Sequence, residues 1–519
     1  MNIARILLEQ ADVRPDAPAI IDRAHAVDRA MTFAQLNSAS GRGSRLLTDL
    51  GLGAGDAALI LQPMSAALYV TLLALFRIGM VAMFIDPSSG RKQIEHCLAI
   101  HPPKALIATG KAHLLRLVSP GLRRIPCKLS FNHFVPCAIS WQRSDNLPPL
   151  TDLYSCTADT PALMTFTSGS TGAPKAAVRS HGFLLDQHRV LARTLSHQPG
   201  TCDLTTLPVF VLANLASGIT SLIPAADLRY PGTIDPRPVL DQIDRWKPIT
   251  SAASPAFFER LCDGCSDRKR TVTGFQRIFT GGAPVFPDQI DRFARFFSGA
   301  RIITVYGSTE AEPIAHIGRD ELTDADRKAM TEGKGLLAGK PVVEIKARVI
   351  RADWSRPIEP MDSAAFEKIC LGPEAAGEIV VNGGHVLPGY LNGVGDEETK
   401  FRVDDTIWHR TGDGGMWDKA GRLWLLGRAG ALIEDKHGSL YPFSVECAAR
   451  SDPQVKVAAL VGRQDRRILL VQARERGRID TQKLSAMLAW AHLDEIRQIE
   501  RIPLDRRHNA KVDYTKLEI

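Results

Sequence analysis

The stretch TFTSGSTGAPK, residues 165–175, sets Ser and Thr hydroxyls, two glycines and a lysine directly after an apolar run. Composition alone permits two readings, a solvated Gly/Ser coil or a cradle for phosphate. The preceding PALMTF (161–166) reads as a buried strand, which sets the loop where a phosphate site is expected. Gly169 and Gly172 would let backbone amides approach an anion, while Thr167, Ser168, Ser170 and Thr171 supply hydroxyl donors and Lys175 adds positive charge. Pro174 precedes Lys175 and no Ser or Thr follows it, so this is not a Walker A loop. Taken by itself, the stretch is balanced between phosphate cradle and mobile loop.

The surroundings repeat one pattern. In ALMTFTSGS, PITSAASPAFFERL, FQRIFTGGAP and RIITVYGSTEAEP, a short apolar run leads straight into a small polar loop. These runs alternate with helix-like segments such as GFLLDQHRVLARTLS and DQIDRFARFF, which predicts an α/β fold of parallel sheets covered by helices. Loops at the carboxyl ends of such strands form the binding crevice. After about residue 375 the texture changes to strands and hairpins (GEIVVNGG, GRLWLLGR, RILLVQARERG) with one helical stretch, TQKLSAMLAWAHLDEI. A boundary near Arg428 divides a large domain, 1–427, from a small α+β domain, 428–519. GLGAGD (51–56) lacks the third glycine of a dinucleotide fingerprint and follows a helix, so it is read as a cap and loop.

Composition excludes several classes. A 519-residue chain with 45% hydrophobic residues builds a large core and is neither disordered nor fibrous. Its excess of 64 Lys and Arg over 57 Asp and Glu, +7, comes without a long basic run, which argues against a nucleic-acid partner. The nine cysteines, 97, 127, 137, 156, 202, 262, 265, 370 and 447, have no framework spacing and read as free thiols of a reducing compartment. Cys262 and Cys265 have zinc-like spacing but no second pair or His cluster beside them. The amino terminus reads as an amphipathic helix and not a signal peptide, so a cytoplasmic location is expected. ALYVTLLALFRIGMVAMFID is broken by Arg77 and Gly79, which makes it a buried helix and strand and not a membrane span.

Three further loops add chemistry. In YGSTE (306–310), Tyr306 offers an aromatic face to a base, Thr309 a hydroxyl to phosphate and Glu310 a carboxylate to Mg²⁺, a hard cation that takes oxygen ligands. TGGAP (280–284), with Gly281, Gly282 and Ala283, and TGD (411–413), with Asp413, complete a nucleotide pocket.

With these motifs in order, the chain resembles the adenylate-forming superfamily of acyl-CoA synthetases, peptide-synthetase adenylation domains and luciferases. The resemblance covers nearly the whole chain and implies that superfamily's fold, a large amino-terminal domain with a small, mobile carboxyl-terminal one. It implies ATP and Mg²⁺ as cofactors and a small carboxylic acid as substrate. The loop from Thr167 to Lys175 would hold the ATP phosphates. Tyr306, Gly307 and Thr309 would contact adenine and α-phosphate, Glu310 the metal, and Asp413 the ribose. Arg428 of GRAG would open the hinge between domains, and Lys511 of HNAKVDYTKL would reach the reacting atoms. A carboxylate attacking the α-phosphorus meets another anion, so Mg²⁺, the amide and hydroxyl cradle and Lys511 would neutralise charge developing in the transition state.

Within the superfamily, DLTTLPVFVLANLASGITSLIP, SPAFFERL, GRLWLLGR, GSLYP and IPLDRRHNAKVDYTKL resemble the β-lactone synthetases of bacterial long-chain olefin biosynthesis. Those enzymes adenylate a 2-alkyl-3-hydroxy acid, whose own hydroxyl then closes a four-membered lactone and expels AMP. The resemblance also implies partner enzymes of an olefin or lactone pathway. One departure from thioester-forming relatives fits: Gly430 stands where an acidic residue usually follows the hinge Arg, and DKHGSLYP, with Lys436 and His437, stands where a flexible glycine pair is usual. The alternative is an acyl-CoA or carrier-protein ligase using CoA or a holo carrier, with Gly438 as a displaced flexible residue. A third reading, a non-catalytic nucleotide-binding scaffold, runs against the joint presence of Lys511, Glu310, Asp413 and Arg428. FVLANLASGI, with Phe210, Asn214 and Gly218, reads equally as the lining of an acyl channel or as a core helix. His181 in VRSHGF is a candidate base for the 3-hydroxyl, against a structural histidine opening a helix; His508 stands in the same position beside Lys511.

Overall fold

A computed structural model of the chain describes residues 1–24, 26–86, 89–131, 133–168, 174–351, 353–474, 477–504, 512 and 514–517. They fall into two compact units, Met1–Ala225 with Leu387–Asp396, and Ala226–Val386 with Glu397–Ile519.

In the first unit, seven strands pair in the order Ile139–Ser140, Cys127–Phe131, Ala105–Thr109, Ala57–Leu61, Val81–Phe84, Pro161–Ser168 and Pro174–Ser180. All are parallel except the last pair. Buried on both faces, the inner strands are continuous apolar runs, as parallel sheets require. The helix Ala66–Arg77, capped by Ser65, is buried on all sides and leads into Val81–Phe84, as the sequence predicts. Gly51, at φ +77° just beyond the helix Phe33–Asp49, confirms the reading of GLGAGD as a cap and loop. Cys202–Thr205, Thr220–Leu222, Pro18–Ala24 and Val27–Thr32 also pair in that order, with only the last pair antiparallel.

The stretch 165–175 departs from the expected strand, loop and helix. It belongs to an antiparallel hairpin: Pro161–Ser168 returns as Pro174–Ser180, and the helix His181–Thr194 starts only then, capped by Ser180. Period-2 alternation explains this. Ala176 and Val178 pack on the core around Leu59, Met83 and Leu98, while Lys175 and Arg179 take the alternate positions. Pro174 opens the strand, where its missing N–H costs no ladder bond.

In the second unit, Thr250–Ala253, Arg277–Gly281 and Arg301–Ser308 are parallel. From there the sheet runs antiparallel through Ala311–Gly318, Leu336–Pro341, Leu423–Arg428, Thr406–Trp417, Gly377–Asn382 and Lys346–Ile350, with Lys400–Val403 beside Thr406–Trp417. The antiparallel part thus begins at residue 301, well before the texture change at 375, because RIITVYGSTEAEPIAHIG folds back on itself at Thr309–Glu310.

The smaller carboxyl-terminal domain holds a three-stranded sheet, Val455–Arg463, Arg466–Ala473 and Glu495–Gln498, and a hairpin of Ile433–Asp435 with Gly438–Leu440. Its own core gathers Val445, Ala448, Leu460, Leu469, Leu484 and Leu488. Two expectations are corrected here. The helix in TQKLSAMLAWAHLDEI spans only Thr481–Met487, since the chain turns through His492 at φ +48° and Glu495–Gln498 joins the sheet. A second helix, Pro442–Ala449, has proline in its first turn, where the lost N–H is harmless.

Candidate functional site

In the second unit, Arg277–Gly281 and Arg301–Ser308 lie side by side and deliver TGGAP and YGSTE at the same carboxyl end. Gly281 must lack a side chain: a Cβ there would stand 2.4 Å from the Val305 carbonyl oxygen. Gly282 follows at φ +76°, exposed, with Ala283 half-buried. Beyond Gly307, Thr309 is exposed and Glu310 half-buried at the tip, where the Glu310 amide donates to Ser308 Oγ at 3.2 Å.

Tyr306 is half-buried and donates its hydroxyl to Asp413 Oδ2 at 2.8 Å. Loss of solvation, reinforced by the Asp413 carboxylate, pushes its phenol well above the usual value, so it remains a donor at neutral pH. Arg428, the cross-strand neighbour of Asp413, donates from Nη1 to Asp413 Oδ1 at 2.9 Å with a side chain 66% exposed. One carboxylate thus joins the YGSTE loop to Arg428.

The strand carrying Asp413 is fixed from beneath. Arg410 and Glu378 form a fully buried pair, with Arg410 Nη2 2.7 Å from Glu378 Oε2 and Nη1 2.6 Å from the Arg356 carbonyl oxygen. Burial pushes Glu378 up, opposed by the pull of Arg410. The Arg410 guanidinium lies 4.8 Å from the centre of the Trp354 ring. Gly412, at φ +68°, passes so close that a Cβ would meet Trp354 Cη2 at 2.8 Å. Trp354 also faces Gly430, whose added Cβ would lie 3.0 Å from Cδ1, so a side chain at that position presses on the indole.

Where a glycine pair is usual, Lys436 and His437 form the turn of a tight hairpin. Asp435 accepts from the His437 amide at 2.8 Å and from buried Arg467 at 2.6 and 2.7 Å. Arg467 in turn donates to the Gly438 carbonyl at 2.8 Å, and the His437 ring stacks on His492 at 4.8 Å. The turn is held from three sides.

In the first unit, Thr167 pairs across the hairpin with Lys175. Lys175 is 5% exposed; its Nζ lies 3.4 Å from the Gly395 carbonyl oxygen and 5.7 Å from the centre of the Tyr390 ring. Gly395, at φ +94°, makes room, since a Cβ would stand 2.4 Å from Lys175 Cδ. Of the remaining phosphate-loop residues, Ser168 closes the strand and Gly169, Ser170, Thr171 and Gly172 lie outside the described residues, as do Lys511 and His508.

FVLANLASGI forms the helix Pro208–Ala216, with Phe210 6% exposed and Asn214 fully buried. Asn214 Nδ2 donates to Asp203 Oδ2, Thr205 Oγ1 and Ser221 Oγ at 3.0–3.1 Å, which ties the helix to two strands. Gly218, at φ +67°, packs against Gln10 and Arg14. His181 is fully buried, accepts from the Ile3 amide at 3.2 Å and meets Phe76 edge-on. Desolvation lowers its pKa to about 4, leaving a neutral ring that joins the amino terminus to its helix. Cys262 and Cys265 are buried on the helix Pro255–Asp267, and burial pushes both thiols up. No group of three or more His, Cys, Asp or Glu among the described residues is placed to hold a metal ion, and no described helix is long and apolar enough to cross a membrane.

Sequence reasoning missed Trp354, Tyr390 and the Arg410–Glu378 pair. Only the last left a signal, Glu378 standing directly before the apolar run Ile379–Val381.

Residues 7–391 match the family model described as AMP-binding enzyme. Over its whole length the chain is 31% identical to an olefin beta-lactone synthetase of Xanthomonas campestris pv. campestris and 30% identical to one of Stenotrophomonas maltophilia, covering 97% of each. Among solved structures, the amide bond synthetase McbA from Marinactinospora thermotolerans shares the fold with a TM-score of 0.80 at 21% identity, over 99% of this chain and 98% of its own.

Proposed function

The chain belongs to the family of AMP-binding enzymes, and as an AMP-forming ligase of that kind we propose that it adenylates a 3-hydroxy fatty or polyketide-like acid and closes the product to a β-lactone. In the first step a carboxylate oxygen bonds to the α-phosphorus of ATP as the bond to pyrophosphate breaks. In the second the 3-hydroxyl bonds to the acyl carbon, loses its proton, and AMP departs.

Asp413 is the ribose partner in this reading, presented by the buried Arg410–Glu378 pair and oriented by Tyr306. Adenylate-forming enzymes in general use ATP with Mg²⁺. The Glu310 carboxylate, half-buried at a strand tip, is an oxygen donor of the type Mg²⁺ takes alongside water and substrate phosphates, so the residues fit the ion. The metal would offset negative charge on the phosphates. Lys175 and the hydroxyls from Thr167 to Thr171 would hold the phosphates, and Lys511 would approach the reacting oxygens as residues 428–519 turn about the segment Arg428–Gly430.

The observation that carries the internal acceptor is the turn at Lys436 and His437. Delivery of CoA would use a flexible segment there, and this one is fastened by Asp435, Arg467 and His492. A lactone closed by the substrate's own hydroxyl asks for no such flexibility. The names of the two olefin beta-lactone synthetases support the same acceptor, together with partner enzymes that make the hydroxy acid and consume the lactone. The competing reading, an acyl-CoA or carrier-protein ligase, rests on Gly438, exposed at φ +93° in the same hairpin. Mass spectrometry of products from a 3-hydroxy acid and ATP, with and without CoA, tests this. Lactone and AMP without CoA are expected; an acyl product only when CoA or a holo carrier is added would establish the ligase instead.

A further inference from the structure

The window 104–144 holds seven Lys and Arg and no Asp or Glu, a local excess equal to the net charge of the whole chain. Within it lie four of the most exposed large apolar side chains: Phe134 at 91%, Leu117 at 72%, Leu114 at 62% and Val118 at 55%. A chain with a well-formed core has no folding reason to leave these in water.

Topology brings these four side chains, with Lys111, Arg116 and His133, to one end of the first unit's seven-stranded sheet, whereas Lys104 and Arg123–Arg124 precede their strands at the other end, Lys104 paired with Asp56. Ala105–Thr109 and Cys127–Phe131 are parallel neighbours, and the chain leaves the carboxyl end of the first into Lys111–Val118 and that of the second into residues 133–138. The two segments touch: Arg116 Nη1 donates to the Pro136 carbonyl at 3.3 Å, and His133 packs on Gly110 so closely that a Cβ there would lie 2.9 Å from its own Cβ. Lys111, Leu114 and Val118 recur at helical spacing along the first segment, whose His113 is buried and held by the Leu129 carbonyl at 3.1 Å. The result is aliphatic and aromatic side chains at loop tips among the exposed Lys111 and His133 and the half-buried Arg116.

We propose that this end of the sheet docks on an anionic lipid bilayer. Apolar tips enter the interface while cations meet the headgroup phosphates, a combination that neither term achieves alone. Beyond the rings of Phe134 and His133 its exposed tips, Leu114, Leu117 and Val118, are aliphatic and offer no face on which bases stack, unlike the successive aromatics of a single-strand nucleic-acid platform. With no Asp or Glu in 104–144, and Glu95 at its edge engaged by Ser119 and Gly121, Lys111 and Arg116 make the charge complementary to anionic lipid. Docking there also suits the lipid-like acid proposed above, although it rests on neither that acid nor its acceptor.

Co-sedimentation of the full chain with phosphatidylcholine vesicles, with and without phosphatidylglycerol, tests the surface. The chain is expected to pellet with the anionic vesicles at low salt and to be released as salt rises. Lys111→Gln with Arg116→Gln should weaken binding roughly thirtyfold, and Leu117→Ser with Phe134→Ser at least roughly tenfold. Thermal melts are expected to match the unmodified chain, which separates lost binding from lost fold at the half-buried Arg116 as at the exposed positions. A chain that stays in the supernatant at low salt overturns the proposal, as does undiminished binding by both double variants. Self-association that the apolar pair abolishes, without vesicle binding, also overturns it and makes the patch an interface between copies.

Discussion

Asp413 commits both carboxylate oxygens inside the protein, one to the Tyr306 hydroxyl and one to Arg428. The two partners are unequal. Tyr306 is half-buried and stays a donor at neutral pH, whereas the Arg428 side chain is mostly exposed. In the function proposed above, a ribose hydroxyl would take the place of Arg428 on Oδ1 without disturbing Tyr306, and nucleotide binding would release Arg428. Asp413→Asn keeps the shape and removes the charge that both donors face. Hydrogen bonds to a charged group contribute about 1.5–3 kcal/mol, so the ATP affinity measured by calorimetry should fall roughly tenfold to hundredfold. Unchanged affinity would remove Asp413 from the ribose site. At this scale the sequence was legible where chemistry clusters in a short motif: Tyr306 and Asp413 stood out in their own loops, Arg428 through the family resemblance, and in the structure hydrogen bonds join the three. Trp354 was not legible, because its contact with Gly412 arises only from the fold.

Among the elements, the helix Pro442–Ala449 carries the buried Glu446, which accepts from the Leu460 amide at 2.9 Å and from the Tyr514 hydroxyl. Tyr514 lies three residues after Lys511, so this helix holds the described residues that follow the lysine. Val512 supports it by pairing with Leu504 and by packing, with Leu517, against Ile502 and Leu470. Desolvation raises the Glu446 pKa to about 7, with the two hydrogen bonds pulling the other way. The folded carboxyl holds its proton to higher pH than the unfolded one. Its contribution is thus complete below the ordinary carboxyl range and is lost as pH rises through about 7. Glu446→Gln keeps an acceptor for both donors and cannot ionise. Melts between about pH 5 and about pH 8 should show the variant gaining on the unmodified chain as pH rises, by up to about 3 kcal/mol; parallel profiles would contradict the assignment. Hairpins were the elements least legible in the sequence. Residues 165–175 and 301–313 read only as strands running into polar loops, because the return strands Pro174–Ser180 and Ala311–Gly318 carry charged residues among their apolar ones.

For the whole molecule, the question is which parts stand alone. The core around Val445, Leu460, Leu469 and Leu484 is built entirely from residues beyond 428, and the sheet beside it uses no strand from elsewhere. Residues 428–519 expressed alone should give a dispersed amide spectrum and a cooperative melt. A collapsed spectrum would mean that contacts of Cys447 and Phe443 with Phe286 and Trp424 are required for its folding. The α/β character and the smaller last domain were legible from the alternation of runs and loops. The division of the first 427 residues was not, because segment 387–396 belongs with residues 1–225, a long-range association that no local pattern records.

That association has a consequence for how the protein is made. Lys175 leaves the ribosome with the first third of the chain, yet Tyr390 and Gly395, which enclose it, follow more than two hundred residues later. At typical synthesis rates of about 5–20 residues per second, the buried ammonium waits on the order of ten seconds or more for its cover. Completion of the first unit is therefore timed by the emergence of the second.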